Sequence, residues 1–364
     1  ADNWVAYQGK SLRLNPDGSI PEDNPEIDGV TSHVFTYGHR NMQGIDFGPD
    51  GTLYASEQGP KTDDEVNVLT AGANYGWPHV AGYQDDKAYQ AARWDLATTP
   101  CEQLRFSDIT IDPSVPVEDE TSWTEDFNEP IATLFTVPSD WNFQDPACGG
   151  IDFICWPTVA TSSMQAYFPK AGEGIPGWEN SLLITTLKRG SIYRVPLSAD
   201  GQTAAGPIER YFQSENRLRD MAVGPDMKTL YVATDVGGLV GTMDGGAGTK
   251  VQNPGAILVY TYTGEGDGAA AEAGATEAAP AADTASTAAG GMAPTFTEEQ
   301  AALGKTAYDA NCVSCHGADL LSAHYGPPLA GAYFDGKWRG KSVAALYAHT
   351  HDRMPPSRPG TLGD

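Results

Sequence analysis

The sequence predicts an all-β propeller followed, across a flexible linker, by a small all-α domain. Three observations carry this reading. A strand, a Pro-Asp turn and a second strand occur twice in similar form; composition changes sharply after Tyr260-Thr261-Tyr262; and a capped amphipathic helix then leads into Cys312-Val313-Ser314-Cys315-His316. With 364 residues the chain is long enough for two cores.

In the first part, the run from Gly44 to Ser56 reads as strand, Pro49-Asp50-Gly51 turn, strand, and the run from Met221 to Thr234 repeats it around Pro225-Asp226. Similar hairpin material surrounds Leu182-Leu183-Ile184-Thr185-Thr186 and Gly190-Ser191-Ile192-Tyr193-Arg194-Val195. Short hairpins repeated in this way, with Gly and Pro in the turns, favour a propeller over a sandwich.

From Gly264 to Gly291 large apolar residues almost vanish. Such a run cannot bury enough surface to offset its ordering entropy, so residues 264–293 are predicted to be a linker with a span of about 30 Å. The predicted domains are therefore 1–263 and 294–364. The second opens with Thr297 as a helix cap and Gln300 three residues on.

Cys312 and Cys315 lie one helical turn apart and can form thioether bonds to both vinyl groups of a haem, while His316 reaches the iron from the same side. A thioredoxin-like pair expects a βαβ context and a zinc site a second ligand pair; the sequence shows neither. The expected second axial ligand is Met354, held by Pro355-Pro356, with His349, His351 and His324 as alternatives. From about Pro294 to Asp364 the segment resembles a class I cytochrome c. That resemblance implies an all-α domain carrying haem c and transferring electrons to a downstream cytochrome or respiratory-chain component. Such domains usually finish with a further helix, so this end is expected to be short.

A formal charge of −26 makes nucleic acid an unsuitable partner. No apolar run reaches membrane-spanning length, so the chain is not expected to span a membrane. Haem attachment and paired cysteines point to a periplasmic or secreted protein, whose start and signal peptide are expected upstream. Of the five cysteines, Cys148 and Cys155 flank a short loop and are candidates for a disulfide or for two buried thiols; Cys101 is left over.

Polar and special-backbone residues concentrate in Tyr37-Gly38-His39-Arg40-Asn41-Met42-Gln43-Gly44 and in Ser56-Glu57-Gln58-Gly59-Pro60-Lys61-Thr62-Asp63-Asp64-Glu65. Arg40 offers a planar fork for carbonyl or carboxylate oxygens, and Asn41 and Gln43 mixed donors and acceptors. The carbonyls of Gly59-Pro60 and the acids Asp63, Asp64 and Glu65 suit calcium, or else form a solvated acidic turn. Lys188-Arg189 and Arg217-Leu218-Arg219 stand out in so acidic a chain, as an anion site or as partners of nearby carboxylates.

These motifs, with Asn74-Tyr75-Gly76-Trp77-Pro78, Ala81-Gly82-Tyr83, Cys155-Trp156-Pro157-Thr158, Leu187-Lys188-Arg189-Gly190 and Asn216-Arg217-Leu218-Arg219-Asp220, closely resemble the soluble quinoprotein glucose dehydrogenases of the glucose/sorbosone dehydrogenase family. The resemblance implies a six-bladed propeller, incomplete here, that binds pyrroloquinoline quinone (PQQ) and calcium and oxidises aldoses at the anomeric carbon to lactones. Arg40 would polarise the quinone carbonyl, with Asn41, Gln43, Gln58 and Asp64 in the cofactor set. Gly59 and Pro60 would give carbonyls to the cofactor's calcium. Thr158, Lys188, Arg217 and Arg219 would hold the PQQ carboxylates, and Trp156 would line the pocket. Glu65, Tyr75, Ala81 and Asp85 match a further, structural calcium site.

Two departures follow from the same resemblance. Phe153 stands at an aromatic position that carries a phenol in the family. The family's general-base His lies upstream of the motif seen here as Gly9-Lys10-Ser11-Leu12-Arg13-Leu14-Asn15, and neither His33 nor His39 is at its position. A competing expectation is therefore a sugar-binding or electron-relay protein without turnover.

Overall fold

A computed structural model describes residues 4–107, 111–143, 154, 156–242, 246–264, 298–316, 320, 329, 334, 346–347 and 349–351. The fold is mostly β with few helices. It divides into two compact units, one of residues 1–262 with 347–364 and one of residues 263–346.

The β-rich unit begins with β1 (Lys10–Leu12), β2 (Glu26–Ile27), β3 (Val30–Thr31) and β4 (Val34–Tyr37); β1 pairs with β4 and β2 with β3. A first antiparallel sheet follows, made of β5 (Met42–Phe47), β6 (Leu53–Glu57) and β7 (Glu65–Leu69). After an excursion that contains the paired strands β8 (Ala91–Ala92) and β9 (Val117–Glu118), β10 (Ala132–Thr133) returns to the edge of β7. The second sheet runs β11 (Thr161–Tyr167), β12 (Ser181–Thr186), β13 (Ile192–Pro196) and β14 (Glu209–Tyr211) in that order. In the third, β15 (Leu218–Val223) and β16 (Thr229–Thr234) are joined, beyond a paired β17 (Val240–Gly241) and β18 (Ala247–Gly248), by β19 (Ile257–Thr261).

Local chemistry explains the two repeated turns. Asp50 accepts hydrogen bonds from the Thr52 amide and hydroxyl, both at 3.0 Å, and Asp226 accepts them from Thr229 at 3.0 and 2.7 Å. Each carboxylate satisfies the backbone that the turn would otherwise leave unpaired.

Packing explains the continuous apolar run in β12, whose six residues are all buried. Leu182 and Ile184 face the first sheet, meeting Tyr54, Val66 and Leu134. Leu183 points the opposite way, into a core with Leu218, Met221 and Leu230 of the third sheet. A strand with a sheet on either face has no solvent side, so alternation of apolar and polar residues disappears.

The first strands of the three sheets, β5, β11 and β15, pack in succession. In each sheet the first strand starts where the second ends: Met42 lies opposite Glu57, Thr161 opposite Thr186, and Leu218 opposite Thr234. At that same end each first strand carries a register shift, between Met42 and Gly44, Thr161 and Ser163, and Leu218 and Asp220. One extra residue there bends the strand and re-aims its side chains. Loops from all three sheets therefore meet along one rim.

In the second unit, a helix spans Glu298–Asn311 and a short one Val313–His316. Lys305 and Asp309 pair across one turn at 2.6 Å, the favourable i,i+4 spacing. The expected Thr297 cap lies outside the described residues.

Candidate functional site

Arg40 sits on the rim just before β5. Its guanidinium donates to the Gln58 carbonyl at 2.8 Å and lies 5.6 Å from the centre of the Trp77 ring. Asn41 donates to the Gln58 side-chain oxygen at 3.2 Å, and Gln43 donates to Asn41 at 2.8 Å. Gln58 in turn reaches the second sheet, giving a hydrogen bond to the Thr161 carbonyl at 2.7 Å. Gly59 must be glycine, because a Cβ there would collide with the backbone carbonyls of Thr62 and Asp63.

Asp64 ties this loop to the second sheet. One carboxylate oxygen accepts the Gly59 amide at 2.9 Å, and the other accepts the amides of Val159 and Ala160, both at 2.7 Å. Asp64 is wholly buried and fixes these two loops to one another. Beside it lies Lys188, which donates to the Thr158 hydroxyl and, at 3.3 Å, to the Trp156 carbonyl. Burial pushes the Lys188 pKa down and that of Asp64 up, and each charge opposes the shift of the other. The Trp156 ring nitrogen donates to the Phe143 carbonyl at 2.9 Å.

Arg217 and Arg219 flank the start of β15 and share Asp235. Arg217 also donates to the Leu239 carbonyl at 2.7 Å, and the Gly241 amide returns to the Lys188 carbonyl. Arg40, Gln58, Asp64, Thr158, Lys188 and Arg217 thus belong to one continuous hydrogen-bonded rim. Two guanidiniums against one carboxylate leave its far end positive.

The metal-site expectations fall around a buried acidic cluster. Asp63 is 3 % and Glu120 1 % exposed. Burial first, then repulsion from Asp85, raises the Asp63 pKa to about 7; burial, then Asp63 and Asp85, raises that of Glu120 to about 8. Glu65 is pushed up by burial and by Glu57. One Asp63 oxygen is buried without a hydrogen-bond partner, while Glu65 accepts the Gly82 amide at 2.7 Å and Glu120 the Ala81 amide at 2.9 Å. The Tyr75 hydroxyl is used elsewhere, donating to the Val68 carbonyl at 2.6 Å. Among the described residues no three acidic, His or Cys side chains already converge as a closed metal shell. Carboxylates that repel one another around an unpartnered oxygen nevertheless have the donor chemistry of a hard-cation site.

In the second unit the Cys312 amide donates to Tyr308 at 2.8 Å and the His316 amide to Cys312 at 2.9 Å, so Cys312 and His316 stand one helical turn apart. His316 is buried and Cys312 half-buried. The Cys315 side chain, Met354, His324, Phe153 and the Cys148–Cys155 pair lie outside the described residues. Cys101 is exposed.

His39 and His33 both have their ring nitrogens engaged within the protein. His39 is 2 % exposed, between Glu57 and Thr36, and His33 contacts the Tyr7 hydroxyl and the Gly18 carbonyl. Sequence reasoning gave no role to Glu57, Glu120 or Asp235. Asp235 had a signal, since it follows β16 as Gln58 follows β6. Glu120, in a run of acids, had none.

Residues 1–121 and 150–240 match the model of the Glucose / Sorbosone dehydrogenase family, and residues 299–364 that of cytochrome C oxidase, cbb3-type, subunit III. The chain is 47% identical over 263 residues to quinoprotein glucose dehydrogenase B of Acinetobacter calcoaceticus, covering 71% of this chain and 55% of that protein. It is 29% identical over 238 residues to the aldose sugar dehydrogenase YliI of Escherichia coli (strain K12), covering 65% and 50%. The solved PQQ-bound form of aldose sugar dehydrogenase from Streptomyces coelicolor aligns with 23% identity and a TM-score of 0.40, covering 71% of this chain and 52% of that one. The chain spans about half the length of these curated relatives. It belongs to the glucose/sorbosone dehydrogenase family and carries a cytochrome c domain after the dehydrogenase part.

Proposed function

We propose that the chain is part of an oxidoreductase that oxidises an aldose at the anomeric carbon to a lactone, with PQQ as hydride acceptor and a covalently bound haem c as the next electron carrier. The observation that supports it is the rim of Arg40, Lys188, Arg217 and Arg219 in a chain of formal charge −26. A polycarboxylate quinone is an anion of the kind such a rim attracts. Lys188 fits it well: a buried ammonium whose pKa burial has lowered gains from a further carboxylate.

In this reading the three sheets are blades of a six-bladed propeller, and the rim is its cofactor face. Bound there, PQQ would supply an electrophilic carbonyl as the hydride acceptor. The Arg40 guanidinium would offer N–H donors to that oxygen, where negative charge would develop. Asn41 and Gln58 hold Arg40's surroundings, Lys188, Thr158, Arg217 and Arg219 anchor the carboxylates, and Trp156 walls the pocket. Calcium would be held by the Gly59 and Pro60 carbonyls, and a second ion by the cluster of Asp63, Glu65, Asp85 and Glu120. Haem would be held by Cys312, Cys315, His316 and Met354. No described helix is long and apolar enough to cross a membrane, and the haem chemistry favours a periplasmic or secreted setting.

The test is to add PQQ, calcium and an aldose to the haem-loaded full-length protein and follow haem absorbance. Sugar-dependent reduction is expected, and Lys188→Ala should weaken PQQ binding at least about tenfold, equivalent to about 1.4 kcal/mol. Absence of sugar-dependent reduction would overturn the reading.

A further inference from the structure

The geometry points to Glu57 as a positioning residue that holds Arg40 from behind; this rests on the reading of Arg40 as the cation facing the quinone. Glu57 ends β6 and is 2 % exposed. Its Oε2 accepts the backbone N–H of Arg40 at 2.8 Å. The next residue, Gln58, accepts from the Arg40 guanidinium through its carbonyl at 2.8 Å. Two consecutive residues therefore grip Arg40 at both ends, backbone and fork.

Glu57 is itself immobilised. Its Oε1 accepts from Asn67 Nδ2 at 3.0 Å and lies 3.0 Å from His39 Nδ1. Asn67 also donates to Glu65 at 3.0 Å, which anchors Glu57 to the acidic cluster. His39 stacks on Tyr75 with ring centres 4.6 Å apart, and its Nε2 lies 2.8 Å from the Thr36 hydroxyl, itself 2.5 Å from Ser11. With His39 donating through Nδ1, two carboxylate oxygens receive three donors. An amide cannot replace them, because its NH2 group would face a donor; the resulting unpaired group is costly in a buried site.

The physical consequence is preorganisation. A fork aimed at a developing oxyanion contributes most when it need not reorganise, and small displacements of such a donor lower rates steeply. Glu57, buried behind Arg40, acts through it.

The experiment uses the full chain and Glu57→Gln, with two readouts. Hydrogen exchange at the amides of residues 38–42 should quicken about tenfold or more in the variant, while β12 and β13 keep their protection. With PQQ bound, the quinone carbonyl band in the vibrational spectrum should move towards that of Arg40→Gln, at an affinity within about threefold of the parent. A merely structural role would lower the melting temperature and leave that band in place. Unchanged exchange, or changed exchange with an unmoved band, overturns the proposal. Where Glu57→Gln does not fold, Glu57→Asp keeps the charge but shortens the reach, and the same two changes are expected. A parent chain that binds no PQQ rejects the cofactor reading, and the exchange result then decides the grip on Arg40 by itself.

Discussion

Asp63 and Glu120 show how burial and neighbouring carboxylates act on single residues. Unfolded, both ionise near the ordinary carboxylate range; folded, their pKa values rise to about 7 and about 8. Between those limits the native state binds more protons than the unfolded state, so stability falls as pH rises. A bound cation removes the repulsion and reverses the shift. Chelator-treated protein should therefore lose on the order of 5 °C in melting temperature between about pH 5 and about pH 8, and calcium should flatten the profile. Asp63→Asn should raise stability in chelator at the alkaline end and weaken the calcium response. Melting curves at several pH values check this, and a flat profile in chelator would count against the cation site.

Between elements, the repeated bulges govern how the sheets meet. Gly44 follows the bulge of β5, where the chain passes close to β11. A Cβ at that position would lie 2.5 Å from Ser56 Oγ and 2.8 Å from both the amide nitrogen and Cβ of Met164. Backbone cannot yield as a side-chain tip can, so Gly44→Ala should destabilise by about 1–3 kcal/mol in urea unfolding. Gly237, whose added Cβ would meet nothing within 4 Å, is the control, and Gly237→Ala should leave the midpoint nearly unchanged. Ser162, the extra residue in β11, already uses its hydroxyl to reach the Leu218 carbonyl at 2.5 Å. The bulges therefore serve as joints between sheets as well as aiming side chains.

Among the described residues, the first and third sheets of the β-rich unit carry exposed apolar side chains. On β5, Ile45 and Phe47 are 54% and 64% exposed, while Asp46 between them accepts the Ala166 amide of the second sheet at 2.8 Å. On β19, Ile257 and Val259 are 63% and 57% exposed. Apolar faces of this kind favour association. The isolated chain should self-associate at micromolar concentration, and Phe47→Lys combined with Ile257→Lys should raise the monomer fraction in light scattering. A monomeric, cooperative melt of the unsubstituted chain would contradict this.

The hairpins around Pro49-Asp50 and Pro225-Asp226 were legible in the sequence because their chemistry is local: a carboxylate meets an amide two or three residues away. The cations Arg40, Lys188, Arg217 and Arg219 were legible because Arg and Lys are scarce in so acidic a chain, and their motifs are long enough to carry a family resemblance. The Cys312-to-His316 spacing was equally plain, since one helical turn fixes it. Other features depended on contacts distant in sequence. Asp64, expected in the cofactor set, is a buried clasp between residue 59 and residues 159–160, a contact no local run reveals. Glu57, Glu120 and Asp235 acquire roles only from groups 17 to 39 residues away, which a charge run does not reveal. The sequence by itself determined the turn chemistry, the scarce cations and the haem-binding spacing. The tertiary structure decided which carboxylates are buried together and which loops share a rim, because burial and convergence belong to packed sheets rather than to any local run of residues.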